Sequence, residues 1–258
     1  MQIHILASGS TGNAVLVEMG GRKILVDAGI SCRRIERGLA AVGVTVGDLD
    51  GILITHEHSD HIKGVPVLVK KHRVPVYARR ATWACMTVAH SLPRECRREI
   101  GDKIDFGALQ VIPFPISHDA VDPVGYGFYY KDYKWVVATD LGMITRSVAE
   151  AVAYADVAVL ESNHDPQMLQ TGPYPYYLKQ RIRGKQGHLS NYEAGYLLAR
   201  IPRVRHMQVF LAHLSQHNNL PQLAERTVSD VLHDHNCAVG EDVVLHRTFP
   251  DRTVSLVL

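Results

Sequence analysis

The heptad Thr55-His56-Glu57-His58-Ser59-Asp60-His61 places three histidines and an aspartate within six positions, directly after the apolar run Gly51-Ile52-Leu53-Ile54. Neutral imidazole nitrogens and carboxylate oxygens are ligands for first-row divalent metals. The apolar run reads as a short buried strand, and the polar turn that ends it can aim several donors at one point. His56 and His58, two apart on extended backbone, face the same way, and Asp60 and His61 follow where the chain turns into a helix. Four donors this close together suit two adjacent ions better than one. The expectation is a metal site.

Other ligand-type residues recur in one setting, the polar position just past an apolar strand. His118 follows the stretch 109–117, Asp140 follows 134–139, and His213 follows 207–212. Singly, each reads as a turn residue or helix cap. Beside the opening cluster they read as the rest of a ligand set.

The elements that must hold these residues are legible from period and punctuation. Strands are expected at 2–7, 14–18, 23–26, 51–54, 74–77, 108–113, 126–130, 134–138, 157–160 and 206–212, with two more closing the chain. Helices are expected from 31 to about 41, with Ser31 as cap, then at 62–72, 82–91, 145–154, 176–182, 191–201 and 220–235. About a dozen strands and several helices, without a repeat or a linker, fit two packed sheets covered by helices better than one doubly wound sheet. A single domain over 1–258 is expected.

Composition narrows the class. At 258 residues and 46% hydrophobic the chain can bury a sizeable core, and a net charge of +2 names no partner. Cys32, Cys85, Cys96 and Cys237 are far apart and show no C-x-x-C spacing, which argues against a disulfide framework. Residues 1–6 read as a strand rather than a signal sequence. No apolar run approaches the roughly 20 residues of a membrane span. These features point to a soluble protein of the reducing cytoplasm.

With the ligand residues in view, the sequence resembles the metallo-β-lactamase superfamily: His56-x-His58-x-Asp60-His61, His118, Asp140 and His213 stand in the order and setting of its metal motifs. Within it, the chain is most similar to the bacterial WalJ (YycJ) family of proposed exonucleases. That likeness is carried by 6–13, 55–64, Ser117-His118-Asp119, Glu161-Ser162-Asn163-His164-Asp165, Gly187-His188-Leu189-Ser190-Asn191 and 211–216; Thr11 stands where Ser is expected. The resemblance implies an α/β fold, a four-layered αββα sandwich of two mixed sheets flanked by helices, with a dinuclear site. It implies that His56, His58 and His118 bind one ion, that Asp60, His61 and His213 bind the second, and that Asp140 bridges them. A hydroxide shared by the two ions would be the nucleophile. The all-nitrogen and oxygen donor set admits zinc and manganese equally.

By the same resemblance the expected reaction is hydrolysis of nucleic-acid phosphodiesters, as a 5′-to-3′ exonuclease with DNA favoured over RNA, and a role in DNA repair. His188 is assigned to protonate the leaving oxygen, by likeness to the histidine preceding the last ligand histidine of ribonuclease Z. His164 is read as a substrate contact and Glu161 as a residue that could orient a histidine. The loop Ser8-Gly9-Ser10-Thr11-Gly12-Asn13 offers hydroxyls, amides and a carboxamide for phosphate, so Ser8, Ser10 and Asn13 are candidate substrate contacts. Three basic clusters, around 70–80, 94–98 and 179–185, favour a polyanion, and Tyr174, Tyr176 and Tyr177 could stack on bases. Only 73 positions separate Asp140 from His213, too few for a large inserted domain, which leaves substrate selection to surface loops or a homodimer partner. A rival reading is a hydrolase of a small ester, thioester or cyclic phosphodiester; another is a catalytically silent protein.

Overall fold

The computed structural model describes residues 1–258 and divides into two compact units. Unit 1 comprises Met1–Ile112, Ala120–Pro123 and Phe249–Leu258; unit 2 comprises Pro113–Asp119 and Val124–Thr248.

In unit 1 the chain runs through β1 (Gln2–Ala7), β2 (Ala14–Met19), β3 (Arg22–Val26), α1 (Cys32–Ala41), β4 (Gly51–Leu53), α2 (Ser59–Ile62), α3 (Val65–His72), β5 (Val76–Ala78), α4 (Arg80–Cys85), β6 (Arg97–Glu99) and β7 (Ile104–Phe106). Then come β8 (Leu109–Pro115), β9 (Val124–Tyr130), β10 (Tyr133–Ala138), α5 (Arg146–Val152), β11 (Val157–Glu161), α6 (Pro166–Thr171), α7 (Tyr176–Arg183), α8 (Asn191–Arg200), β12 (Met207–Ala212), α9 (Pro221–Asp234), β13 (Val243–Arg247) and, back in unit 1, β14 (Val254–Val257).

Both sheets are mixed. The first has seven strands in the order β14-β1-β2-β3-β4-β5-β6, antiparallel through β3 and parallel from there on. The second runs β13-β12-β11-β10-β9-β8-β7, parallel among β10 to β13 and antiparallel between β9 and β10. Ile35, Leu39, Leu68 and Val69 of α1 and α3 pack on the first sheet through Leu16, Leu25 and Ile52. Val148, Leu197, Leu198 and Val228 of α5, α8 and α9 pack on the second through Val136, Leu160 and Leu211. Burying such aliphatic side chains contributes about 1.5–3 kcal/mol each, so the strands that lead into the heptad, Asp140 and His213 are firmly held.

Several boundaries differ from the pattern reading. The helix expected at 62–72 begins at Val65, after the separate short helix Ser59–Ile62; at the join the Gly64 amide donates to the Ala28 carbonyl at 2.7 Å, and a Cβ there would sit 2.2 Å from the Ile30 carbonyl oxygen. The helix expected at 82–91 stops at Cys85 and resumes as a 3-10 turn at Ala89–Ser91. Short α6 was not foreseen, although Asp165 caps it by accepting from the Met168 amide and Pro166 starts it. No helix is long and apolar enough to cross a membrane.

Candidate metal centre

In unit 1, β4 delivers the chain into the heptad and α2 begins at Ser59, which turns Asp60 and His61 back toward His56. His56 Nε2 and His58 Nδ1 lie 3.0 Å apart, the His56 and His61 rings are 4.1 Å apart, and His61 Nε2 is 3.5 Å from Asp60 Oδ2. His56 and His61 are wholly buried. Such an arrangement of imidazole nitrogens and a carboxylate fits a divalent cation.

Asp27 fixes which nitrogen of His61 is available. Its Oδ2 is 2.7 Å from His61 Nδ1, while its two oxygens also accept from the Thr55 amide and hydroxyl at 2.9 Å each. A carboxylate on Nδ1 holds the proton there and leaves the Nε2 lone pair as the donor. The Asn13 carboxamide nitrogen approaches that same Nε2 at 3.3 Å, and its oxygen accepts from Gly9 N. Asp27 is not among the residues that the sequence pattern singles out. Its signal was the one used for the others, a polar residue just past an apolar strand.

Glycine is required at one corner. At Gly29 a Cβ would fall 1.6 Å from the Asp60 carbonyl oxygen, so the loop after β3 rests directly on the backbone of the heptad. The Ala28 amide donates to the His61 carbonyl at 2.8 Å and locks the two loops together.

In unit 2 the strand-end residues converge as expected. His118 Nε2 and His213 Nδ1 lie 3.6 and 3.5 Å from Asp140 Oδ1, and the His188 ring is 5.1 Å from each of the two other rings. Donor atoms of Asp140, Glu161, His188 and His213 all lie within 4.8 Å of one another. Glu161, wholly buried at the end of β11, organises this group. Its Oε1 accepts from His213 Nδ1 at 2.8 Å and His188 Nδ1 at 2.9 Å, and its Oε2 accepts from the amides of Leu141 (2.5 Å) and Leu189 (3.2 Å). With both oxygens engaged twice, Glu161 positions its neighbours rather than ligating. Burial alone would push its carboxyl up, but the two imidazoles outweigh that and hold it at about 2. His118 follows the same rule with a backbone acceptor, Nδ1 lying 3.2 Å from the Gly187 carbonyl. Burial pushes the His118 imidazole down, toward the neutral form a ligand requires.

Asp27, Asp140 and His213 all have φ between 56° and 59°. Non-glycine residues are uncommon in this left-handed region, and Asp, Asn and His are the types that tolerate it. All three corners are therefore where a strand ends abruptly and throws a side chain sideways.

Other expected contacts fall elsewhere. His164 is buried beside β11, its backbone bridged to Ser190, and its Nδ1 takes no hydrogen-bond partner; no ring contact joins it to the cluster. In the loop 8–13, the amides of Ser8, Gly9, Gly12 and Asn13 already donate within unit 1, to Phe249, Asn13, Gly9 and Asp60. Those four amides are thus not open to phosphate; Asn13 braces His61, and Ser10 is the exposed polar group of the three candidates. A further grouping, Cys32, Glu36 and His72, is an ion-pair network between α1 and α3: the Lys71 ammonium, 2.7 Å from Glu36, holds that carboxyl down at about 2. All four cysteines are free thiols.

A family model described as a Beta-lactamase superfamily domain matches residues 22–242. The chain is 39% identical over 253 residues to the exodeoxyribonuclease YycJ of Bacillus anthracis, covering 97% of this chain and 96% of that one. It is 40% identical over 257 residues to the exodeoxyribonuclease WalJ of Streptococcus pneumoniae, covering 98% and 96%. Among solved structures, the metallo-β-lactamase fold protein YhfI of Bacillus subtilis aligns with a TM-score of 0.71 at 16% identity over 98% of both chains. Zinc-bound PqqB of Methylobacterium extorquens aligns with a TM-score of 0.73 at 15% identity over the whole of both chains. At such identities these two show the shared fold alone.

Proposed function

The chain belongs to the β-lactamase superfamily, and from that premise we propose that it is a metal-dependent nuclease, a 5′-to-3′ exonuclease acting on DNA. His56, His58, Asp60, His61, His118, Asp140 and His213 would hold two divalent ions, zinc or manganese. The observation that carries the metal reading is a repeated one: His61, His118 and His213 each have Nδ1 against an oxygen acceptor, at 2.7, 3.2 and 2.8 Å, which reserves Nε2 for a ligand. The polynucleotide reading is supported by full-length similarity to two exodeoxyribonucleases.

When bound, the ions would supply Lewis acidity, activating water near neutral pH and neutralising phosphate charge. The chain's own residues do the rest. Glu161 holds the His188 ring by Nδ1, leaving Nε2 as the atom that can deliver a proton to the departing oxygen. It also fixes the turn bearing Asp140 through the Leu141 amide, so one buried carboxylate orients acid and ligands together. Ser10 is a candidate phosphate contact. The same reading places the protein in the cytoplasm, in DNA repair.

The test is cleavage of 5′-phosphorylated duplex DNA, single-stranded DNA and RNA by metal-stripped protein reloaded with manganese or zinc, alongside Asp60→Ala. Stepwise release of nucleotides from the 5′ end of DNA, lost in the variant, is expected. Absence of polynucleotide cleavage with two ions bound would overturn the nuclease reading in favour of a small ester or cyclic phosphodiester.

A further inference from the structure

A nuclease must hold a strand as well as cut it, and unit 2 carries one surface whose chemistry suits that task. Between Asp165 and Glu193 the sequence has no acidic residue, yet it contains Lys179, Arg181, Arg183 and Lys185. In unit 1 three of the basic residues, Lys71, Arg73 and Arg79, each reach a carboxylate. On α7 only Ile182 is buried, while Tyr176 and Tyr177 are 77% and 75% exposed, more than any other large apolar or aromatic side chain. Two adjacent rings left in water beside Lys179, Arg183 and Lys185, none of which is paired with a carboxylate, match a strand that offers base faces and phosphates in alternation.

This surface is tied to the proposed proton donor. The His188 amide donates to the Ile182 carbonyl at the end of α7 (2.9 Å), and the Gly187 amide to that of Gly184 (2.8 Å). The approach is so close that a Cβ on Gly187 would lie 2.2 Å from the Ile182 oxygen. A cavity of about 430 Å³ opens beside the same turn, lined by Asp119, Arg181, Gly184, Lys185 and Gln186. There Arg181 is paired with Asp119 at 2.5 Å, whereas Arg183 reaches only the neutral Pro166 carbonyl and Lys185 is exposed.

We propose that α7 and the turn to His188 form the platform for single-stranded DNA, with Tyr176 and Tyr177 stacking on bases and Arg183 and Lys185 holding the phosphates of the strand entering the site. This rests on the nuclease reading above and adds where the substrate lies.

Full-length protein carrying Tyr176→Ala with Tyr177→Ala, or Arg183→Gln with Lys185→Gln, separates the two ideas when single-stranded DNA and bis(p-nitrophenyl) phosphate are assayed together. The tyrosine pair is expected to raise KM for DNA at least about ten-fold more than KM for the small diester. The cation pair is expected to lower the slope of log affinity against log salt by about 1.4, two single-strand phosphate contacts. If wild-type protein degrades DNA and both variants keep its KM and salt slope, the platform is wrong and the nuclease reading stands. If wild-type protein hydrolyses only the small diester, both fall.

Discussion

Glu161 Oε1 lies 2.8 Å from His213 Nδ1 and 2.9 Å from His188 Nδ1, so one buried oxygen steers a proposed ligand and the proposed acid at once. Replacing it with glutamine keeps the shape and removes the charge. Glu161→Gln is expected to weaken metal affinity and kcat/KM on DNA each by about 10–100-fold, read by equilibrium dialysis and steady-state assay. A variant equal to wild type in both would show that the carboxylate does not orient the site.

Asp27 performs the equivalent task for His61 and adds a backbone constraint, φ 58°. Asparagine tolerates that conformation and alanine does not. Asp27→Asn is therefore expected to lose metal affinity by about 10–100-fold. Asp27→Ala should lose a similar amount and, in addition, about 1–2 kcal/mol of metal-free stability from the left-handed strain. Paired metal titrations and urea denaturation measure the two losses separately.

Glycine substitutions should sort by what a Cβ would meet. Gly29→Ala drives a methyl into the Asp60 carbonyl and is expected to cost about 3 kcal/mol or more. At Gly101 nothing lies within 4 Å, so Gly101→Ala should be neutral or stabilising by up to about 1 kcal/mol. Chemical denaturation of the metal-stripped protein distinguishes them.

Burial holds His164 down at about 4, below the ordinary value of 6.5. Between those two values the folded protein binds fewer protons than the unfolded chain, so the stability associated with this residue is complete above about pH 6.5 and is lost as pH falls toward 4. The loss amounts to roughly 3 kcal/mol. His164→Asn should flatten the decline in unfolding free energy of metal-stripped protein between about pH 7 and about pH 4. An unchanged decline would show that His164 titrates normally.

Much of this was legible in the chain. The apolar run before Thr55 marked a strand and the histidines after it do cluster, and Ser31 caps its helix where expected, accepting from Arg34 N. What escaped notice depends on distant neighbours. At the break near Gly64 the amide donates to the Ala28 carbonyl, a long-range contact that no local pattern encodes. β6, Arg97-Arg98-Glu99, has no strand period; it is an edge strand held by parallel pairing to β5. Asp27 looked like any turn aspartate until its oxygens met Thr55 and His61. Glu161 could be suspected as an orienter, but that it serves two histidines and two amides follows only from where β11 ends.

The left-handed corners at Asp140 and His213 also limit how the centre could be re-engineered. Exchanging His213 for cysteine, to recruit a thiophilic ion, would place a residue without histidine's tolerance at φ 56°. Softer coordination chemistry is therefore more accessible at His58, on ordinary extended backbone with φ −63° and ψ 148°, than at either corner.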